Sequence, residues 1–193
     1  MYFLILDILL YNFRMKELFL ETERLKLFKI EQSDFAELCF MLKDPEVMYA
    51  WEYGFCDDEV NDWINKNLEY YEKYNLGYFL ALDKNENKVV GQIALMPDII
   101  KGKRYVEVGY ILKKEFWHKG YAYEGASALV EYAFDVLKEP RVIAEIRPCN
   151  TASQNVAKRL GMQVTGNFEK TVKDKPMLHL IYSIDNPHMS KLS

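Results

Sequence analysis

The feature that most constrains this chain is a double change of hydrophobic period between residues 104 and 147. Residues 104–112 alternate as a strand does, with Val106, Val108 and Tyr110 on one face and Glu107, Gly109 and Ile111 on the other. A loop follows, Trp117-His118-Lys119-Gly120-Tyr121-Ala122. From there Ala122, Ala126, Leu129, Val130, Ala133, Phe134 and Leu137 recur at helical spacing until Pro140 stops them. Residues 141–147, rich in Val and Ile, read as strand again. Strand, helix and strand in this order predict a parallel crossover, which should be right-handed. The loop lies at a helix start, where unpaired N–H groups carry partial positive charge and favour an anion. Gly120 lets a phosphate approach that backbone closely. The pattern points to a phosphorylated cofactor, with an ordinary turn into a helix as the competing reading. Neither a P-loop nor a dinucleotide fingerprint occurs.

The flanking sequence extends the pattern. Residues 24–30 read as a strand, and Ser33 is placed to cap a short helix carrying Phe35, Leu38 and Leu42. Asp57 or Asp58 is placed to cap a longer helix to about residue 74, with Val60, Trp63, Ile64, Leu68 and Tyr71 as its apolar stripe. Residues 77–83 and 88–95 read as strands joined by a polar turn, with a second turn over 99–103. Asn150 starts a short helix to Leu160, and Gly161 stands where a C-cap belongs. Residues 162–168 and 177–184 complete the set. The expected fold is α/β, a mixed and mostly antiparallel sheet of about seven strands flanked by about four helices.

At 193 residues the chain suits one domain with a sizeable core. We place that domain at 16–186, with a tail at 187–193. Residues 1–15 are an apolar run broken by Asp7 and Asn12, too short to span a bilayer and without the features of a secretory signal. Met15-Lys16-Glu17 reads as a start before the first strand, so the run is expected to lie outside the core. The rival is a short apolar helix packed on the domain, a partner or a membrane surface. The net charge of −4 argues against nucleic acid as the main partner and leaves room for a cationic substrate. Three unclustered cysteines, Cys39, Cys56 and Cys149, support neither a disulfide framework nor a zinc site. A reducing cytoplasm is the simplest setting.

Four pieces, in order, resemble the GNAT superfamily of N-acetyltransferases, and most of all its RimJ/RimL-type branch. Glu23-Arg24-Leu25-Lys26-Leu27 is similar to that branch's opening strand. Val106-Glu107-Val108-Gly109-Tyr110-Ile111-Leu112 is similar to its central strand. Trp117 to Ala122 resembles its acetyl-CoA pyrophosphate loop, and Asn150-Thr151-Ala152-Ser153, ending in Leu160-Gly161-Met162, its last cofactor-contacting helix. The wider family has Gln or Arg where this chain has Trp117, but Trp is usual in the branch. The resemblance covers residues 21–184. It implies acetyl-CoA as cofactor, with His118, Lys119, Gly120, Tyr121 and Ala122, beside Trp117, offering backbone N–H groups to the pyrophosphate. It implies that the backbone of Val108, Tyr110, Ile111 and Leu112 pairs with the pantetheine arm as an added strand would. Gly109 then leaves room beside the ligand, or else marks a bulge.

Acyl transfer to an amine needs a base, an oxyanion donor and a proton for the leaving thiolate. Glu107 is the candidate base, acting through water, with its pKa raised by burial. A solvated strand residue or a lysine's salt-bridge partner is the competing reading. A main-chain N–H near Tyr110 or Ile111 is the candidate oxyanion donor. Many relatives carry a Tyr on the last helix where this chain has Ala157. The branch has Ser in the first turn, which maps to Ser153. Asn150 is placed to contact cofactor or water, to cap the helix, or both. A covalent route through Cys149 lacks a base, since neither His118, His179 nor His188 is placed for it by sequence. Trp51, Tyr53 and Phe55 precede the second helix, where the branch builds part of its acceptor pocket; core packing or a dimer contact is the competing role. The expected activity is acetyl transfer to a primary amine, either a protein N-terminal α-amine or a small amine such as a polyamine, amino sugar or antibiotic. A non-catalytic acyl-CoA sensor is the alternative. No nucleic-acid or membrane partner is expected, no metal, and a monomer or homodimer.

Overall fold

The computed structural model describes residues 16–189. The apolar run at 1–15 and the last four residues of the tail therefore lie outside the described residues. Among the described residues there are eight strands and four α-helices. In chain order they are β1 (Leu18–Glu21), β2 (Leu25–Lys29), α1 (Phe35–Leu42), α2 (Asp57–Tyr74), β3 (Gly77–Asp83), β4 (Lys88–Ile100), β5 (Lys103–Leu112), α3 (Tyr121–Asp135), β6 (Arg141–Ile146), α4 (Thr151–Arg159), β7 (Gln163–Val172) and β8 (Lys175–Asp185). The sheet order is β1-β2-β3-β4-β5-β6-β8-β7. All neighbours are antiparallel except β5 and β6, which the crossover through α3 makes parallel.

That parallel joint shapes the molecule. β5 pairs with β4 along its whole length, from Lys103↔Ile100 to Leu112↔Gly91. Its other edge registers with β6 only at Val106↔Val142 and Glu107↔Ile143. Beyond Glu107 the two strands part, so the edge of β5 from Val108 to Leu112 has no strand partner. The helices cover the sheet from two sides. Trp63 of α2 packs at a tilt of 50° against Tyr78 of β3, with centroids 4.6 Å apart. On the opposite face α3 packs so closely that a Cβ at Gly125 would stand 2.1 Å from Ile93 Cδ1. Leu25, Phe79, Ile93, Leu129 and Ala133 are fully buried there.

Several local expectations need correction. β1 adds an eighth strand; its four residues are too few to show a period of two, and pairing with β2 makes it a strand. β4 does not end at Leu95 but runs to Ile100, through Pro97. Proline is tolerated there because β3 stops pairing at Leu95, so the missing N–H faces no partner strand. Ser33 lies inside a 3₁₀ turn, Gln32–Asp34, and α1 starts only at Phe35. The N-cap of α2 is Cys56, whose N–H donates to Glu59 at 2.9 Å, with Asp57 and Asp58 in the first turn, where the helix dipole favours them. Gly109 sits in unbroken register opposite Ala94, so it is no bulge. A Cβ there would stand 3.0 Å from the Tyr78 hydroxyl, which makes Gly109 the space that Tyr78 fills.

Candidate active site

The loop after β5 is built from two left-handed turns. A 3₁₀ turn, Lys114–Phe116, leads to Trp117, then to His118 at φ 61° and Gly120 at φ 86°. Gly120 is the N-cap of α3 and offers no side chain to the helix start. The first N–H to bond within the helix is that of Glu124, to the Gly120 carbonyl at 3.0 Å. The N–H groups of Tyr121, Ala122 and Tyr123 therefore precede the helical ladder and are left for an outside acceptor.

This geometry is held from the turn between β1 and β2. Glu124 accepts from Thr22 Oγ1 at 2.6 Å, from the Arg24 N–H at 2.8 Å and from Arg24 Nε at 2.6 Å. Arg24 Nη1 also donates to the Lys119 carbonyl at 3.1 Å, and its guanidinium lies 4.5 Å from the centre of the Tyr121 ring. Tyr121 in turn donates to Asp83 at 2.7 Å. Glu124 is held below the ordinary carboxylate range: burial opposes its charge, but Thr22 and Arg24 outweigh it. Sequence reasoning missed the Arg24–Glu124 pair, because 100 residues separate the partners and neither breaks the local pattern.

A cavity of about 730 Å³ opens beside this loop. Tyr110, Ile111, Leu112, Trp117, His118, Gly120, Tyr121, Ala122, Asn150 and Ser153 all line it, as does Arg159. Lys119 does not; its carbonyl is held by Arg24 and its ammonium lies 5.0 Å from the Phe116 ring centre. Trp117 Nε1 donates to the Leu112 carbonyl at 2.9 Å, which fixes the indole against the end of β5.

A second cavity, about 310 Å³, lies on the α2 face of the sheet and is lined by Val108, Gly109 and Glu107. Trp51, Tyr53, Phe55, Trp63, Tyr70 and Tyr78 give it aromatic walls. The two cavities share Trp51, Tyr110, Asn150 and Ser153. At that junction Asn150 Oδ1 caps α4 by accepting from the Ser153 N–H at 3.0 Å, and it accepts from the Tyr49 hydroxyl at 2.6 Å. The Ser153 carbonyl accepts from the Tyr110 hydroxyl at 2.9 Å. Ala157 is fully buried in the core. Cys149 is exposed.

Glu107 is 8 % exposed, and its Oε1 accepts from the Glu145 N–H at 3.3 Å. Asp98, Glu107 and Glu145 bring carboxylate oxygens within 4.8 Å of one another. Lys170 of β7 reaches Glu145 Oε2 at 3.1 Å. Burial pushes the Glu107 pKa up to about 7, with Asp98 adding to the rise and Lys170 opposing it. Burial also raises that of Glu145, helped by its hydrogen bond to Asp98 and by the charge of Glu107. Asp98 is lowered: burial opposes its charge, but the bonds from Glu145 and the Ile99 N–H outweigh it. His179 lines the same cavity, its pKa lowered by burial. The sequence singled out Glu107 but not Asp98, Glu145, Lys170 or His179, since these come from four different strands.

The larger cavity fits coenzyme A: it has room, unpaired N–H groups at a helix start, and no Cβ at Gly120. Comparison with known proteins identifies the family. Residues 24–163 match the family model for an acetyltransferase (GNAT) domain. Bacillus subtilis YkkB is 32% identical over 162 residues, covering 82% of this chain and 91% of that protein. The uncharacterized N-acetyltransferase YnaD of the same species is 30% identical, covering 78% and 86%. A GNAT-family acetyltransferase structure from Bacillus anthracis superposes with a TM-score of 0.72 at 28% identity, covering 87% of this chain and 98% of that one. Below 25% identity the likeness is one of fold alone. It extends to a structure from Vibrio cholerae named as a "putative ribosomal-protein-serine acetyltransferase" (21% identity, TM-score 0.71, covering 86% and 95%). It extends also to spermidine N-acetyltransferase from the same species in complex with CoA and spermine (17%, 0.67, covering 84% and 96%). A split sheet with a helix-start loop beside the split, matched by a family model over most of its length, decides the assignment: this chain belongs to the GNAT family of acetyltransferases.

Proposed function

We propose that this N-acetyltransferase carries acetyl-CoA in the cavity beside α3 and receives a primary amine in the aromatic-walled cavity below Glu107. The observation that carries this reading is the position of Glu107, buried where β5 and β6 part, in a cavity that meets the cofactor cavity at Asn150 and Ser153. When bound, acetyl-CoA supplies an activated acetyl thioester. Trp117, His118, Gly120, Tyr121 and Ala122 bind its pyrophosphate, mainly through backbone N–H groups, with Lys119 supporting the loop. The free edge of Val108, Tyr110, Ile111 and Leu112 holds the pantetheine arm, and an N–H there stabilises the oxyanion. Glu107 takes the proton from the amine nitrogen, directly or through water. The Ser153 hydroxyl stands at the junction to donate a hydrogen bond to the departing sulfur, which takes its proton from water or from the protonated Glu107, and Asn150 fixes the helix turn that carries Ser153.

Two acceptor classes meet this chemistry. The overall resemblance to the RimJ/RimL-like branch supports a protein N-terminal α-amine, and the small volume of the second cavity supports a small amine. Three free cysteines fit a cytoplasmic setting.

The test is acetyl-CoA consumption over a panel of amines and short peptides with free N-termini, using wild type and Glu107→Gln. The variant should lose at least about 100-fold in kcat while keeping its affinity for coenzyme A. Unchanged turnover removes Glu107 from the mechanism. Tight coenzyme A binding without turnover of any amine favours an acyl-CoA sensor.

A further inference from the structure

We propose that Glu145 and Lys170, carried on strands across the split from β5, are positioning residues that set the charge state of Glu107. This rests on the reading of Glu107 as the base.

The geometry is a chain across three strands. Glu107 Oε1 accepts from the Glu145 N–H at 3.3 Å, and Glu145 Oε2 pairs with Lys170 Nζ at 3.1 Å. The Glu145 side chain is only 4% exposed, while that of Lys170 is half exposed. Asp98 stands within 4.8 Å of both Glu107 and Glu145.

Three carboxyl groups around one ammonium cannot all ionise freely in a low-dielectric site. Removing the Glu145 carboxylate leaves the Lys170 charge unshared and favours the charged form of Glu107, and removing the cation favours the neutral form. Other titratable groups also face the cavity: Lys66 and Tyr70 from α2, Tyr78 from β3, Arg147 beyond β6 and His179 from β8. Arg147 is already paired with Glu52 at 2.8 Å. The paired role needs no metal, since Lys170 already supplies positive charge to the carboxylates.

This arrangement splits the active base between the two wings of the sheet. β4 and β5 bring Asp98 and Glu107; β6 and β7 bring Glu145 and Lys170. A purely structural salt bridge gives one result on removal of either partner, a loss of stability. A charge-setting pair gives opposite results on the pH profile.

The experiment is the pH dependence of kcat/KM for wild type, Glu145→Gln, Lys170→Met and Lys170→Arg, with each fold checked by thermal melting. The acidic limb should move to lower pH in Glu145→Gln and to higher pH in Lys170→Met, each by about one pH unit. Lys170→Arg should restore the wild-type limb. If both limbs stay at the wild-type position while Glu107→Gln is inactive, this inference is wrong and the assignment of Glu107 stands. If Glu107→Gln keeps full turnover, the reading of the base fails first. Should Glu145→Gln not fold, the two lysine variants decide alone, because Lys170 is half exposed: a limb that does not move in Lys170→Met overturns the proposal.

Discussion

Glu107 combines two costs to the folded state. It is buried, and it sits among like charges. Its folded pKa is raised from an ordinary value near 4.5 to about 7. The folded state therefore holds this proton more tightly than the unfolded chain does. Its contribution to stability is fully present below the ordinary value and is lost as pH rises through about 7. Glu107→Gln, which mimics the neutral form, should melt close to wild type at pH 5 and higher than wild type at pH 8, by on the order of 2 kcal/mol. Equal melting differences at both pH values would contradict the raised pKa. Gly120 is constrained in another way. At φ 86° a β-branched residue is strained, and a Cβ would stand 3.4 Å from Arg24 Nη2. Gly120→Val should weaken coenzyme A binding by about tenfold or more, read by calorimetric titration, since it disturbs the loop and blocks the phosphate approach. Equal affinity counts against the loop.

Among the elements, the start of α3 depends on a side chain from its own first turn reaching the β1–β2 turn, 100 residues earlier at Arg24. Glu124 satisfies Thr22 and both the backbone and side chain of Arg24. Glu124→Ala leaves those donors without their carboxylate and should cost about 2 kcal/mol in chemical denaturation. Coenzyme A affinity should fall with it, because Arg24 also holds the Lys119 carbonyl. A variant that loses stability but keeps full affinity would show that the loop holds its shape without this anchor. The order of the elements was legible in the sequence. Asn150 caps α4, and Gly161 at φ 83° follows its end, as the spacing predicts; α3 ends at Asp135, short of Leu137 and of the proline expected to stop it. β1 and the tail of β4 were not legible. One is too short to show a period, and the other runs through a proline whose harmlessness depends on where β3 stops.

In the whole molecule, the incomplete parallel joint between β5 and β6 creates both cavities. A sheet closed along its full length would leave no free edge at Val108–Leu112. Coenzyme A should therefore slow amide exchange at residues 108–112 and 117–123 and leave β2 and β3 unchanged. Protection of β2 and β3 instead would place the ligand elsewhere. Among the described residues no helix is long and apolar enough to cross a membrane.

The sequence by itself determined the crossover, the helix-start loop and the candidate base, because each is written in residues near one another in the chain. Alternation, helical spacing, glycine and proline act over a few positions. The tertiary structure decided the rest. It gave Glu107 its neighbours Asp98, Glu145 and Lys170, tied the loop to Arg24, and set Ser153 and Asn150 where two cavities meet. Those relations depend on strand order and on the parting of β5 from β6, and no local rule of sequence encodes either.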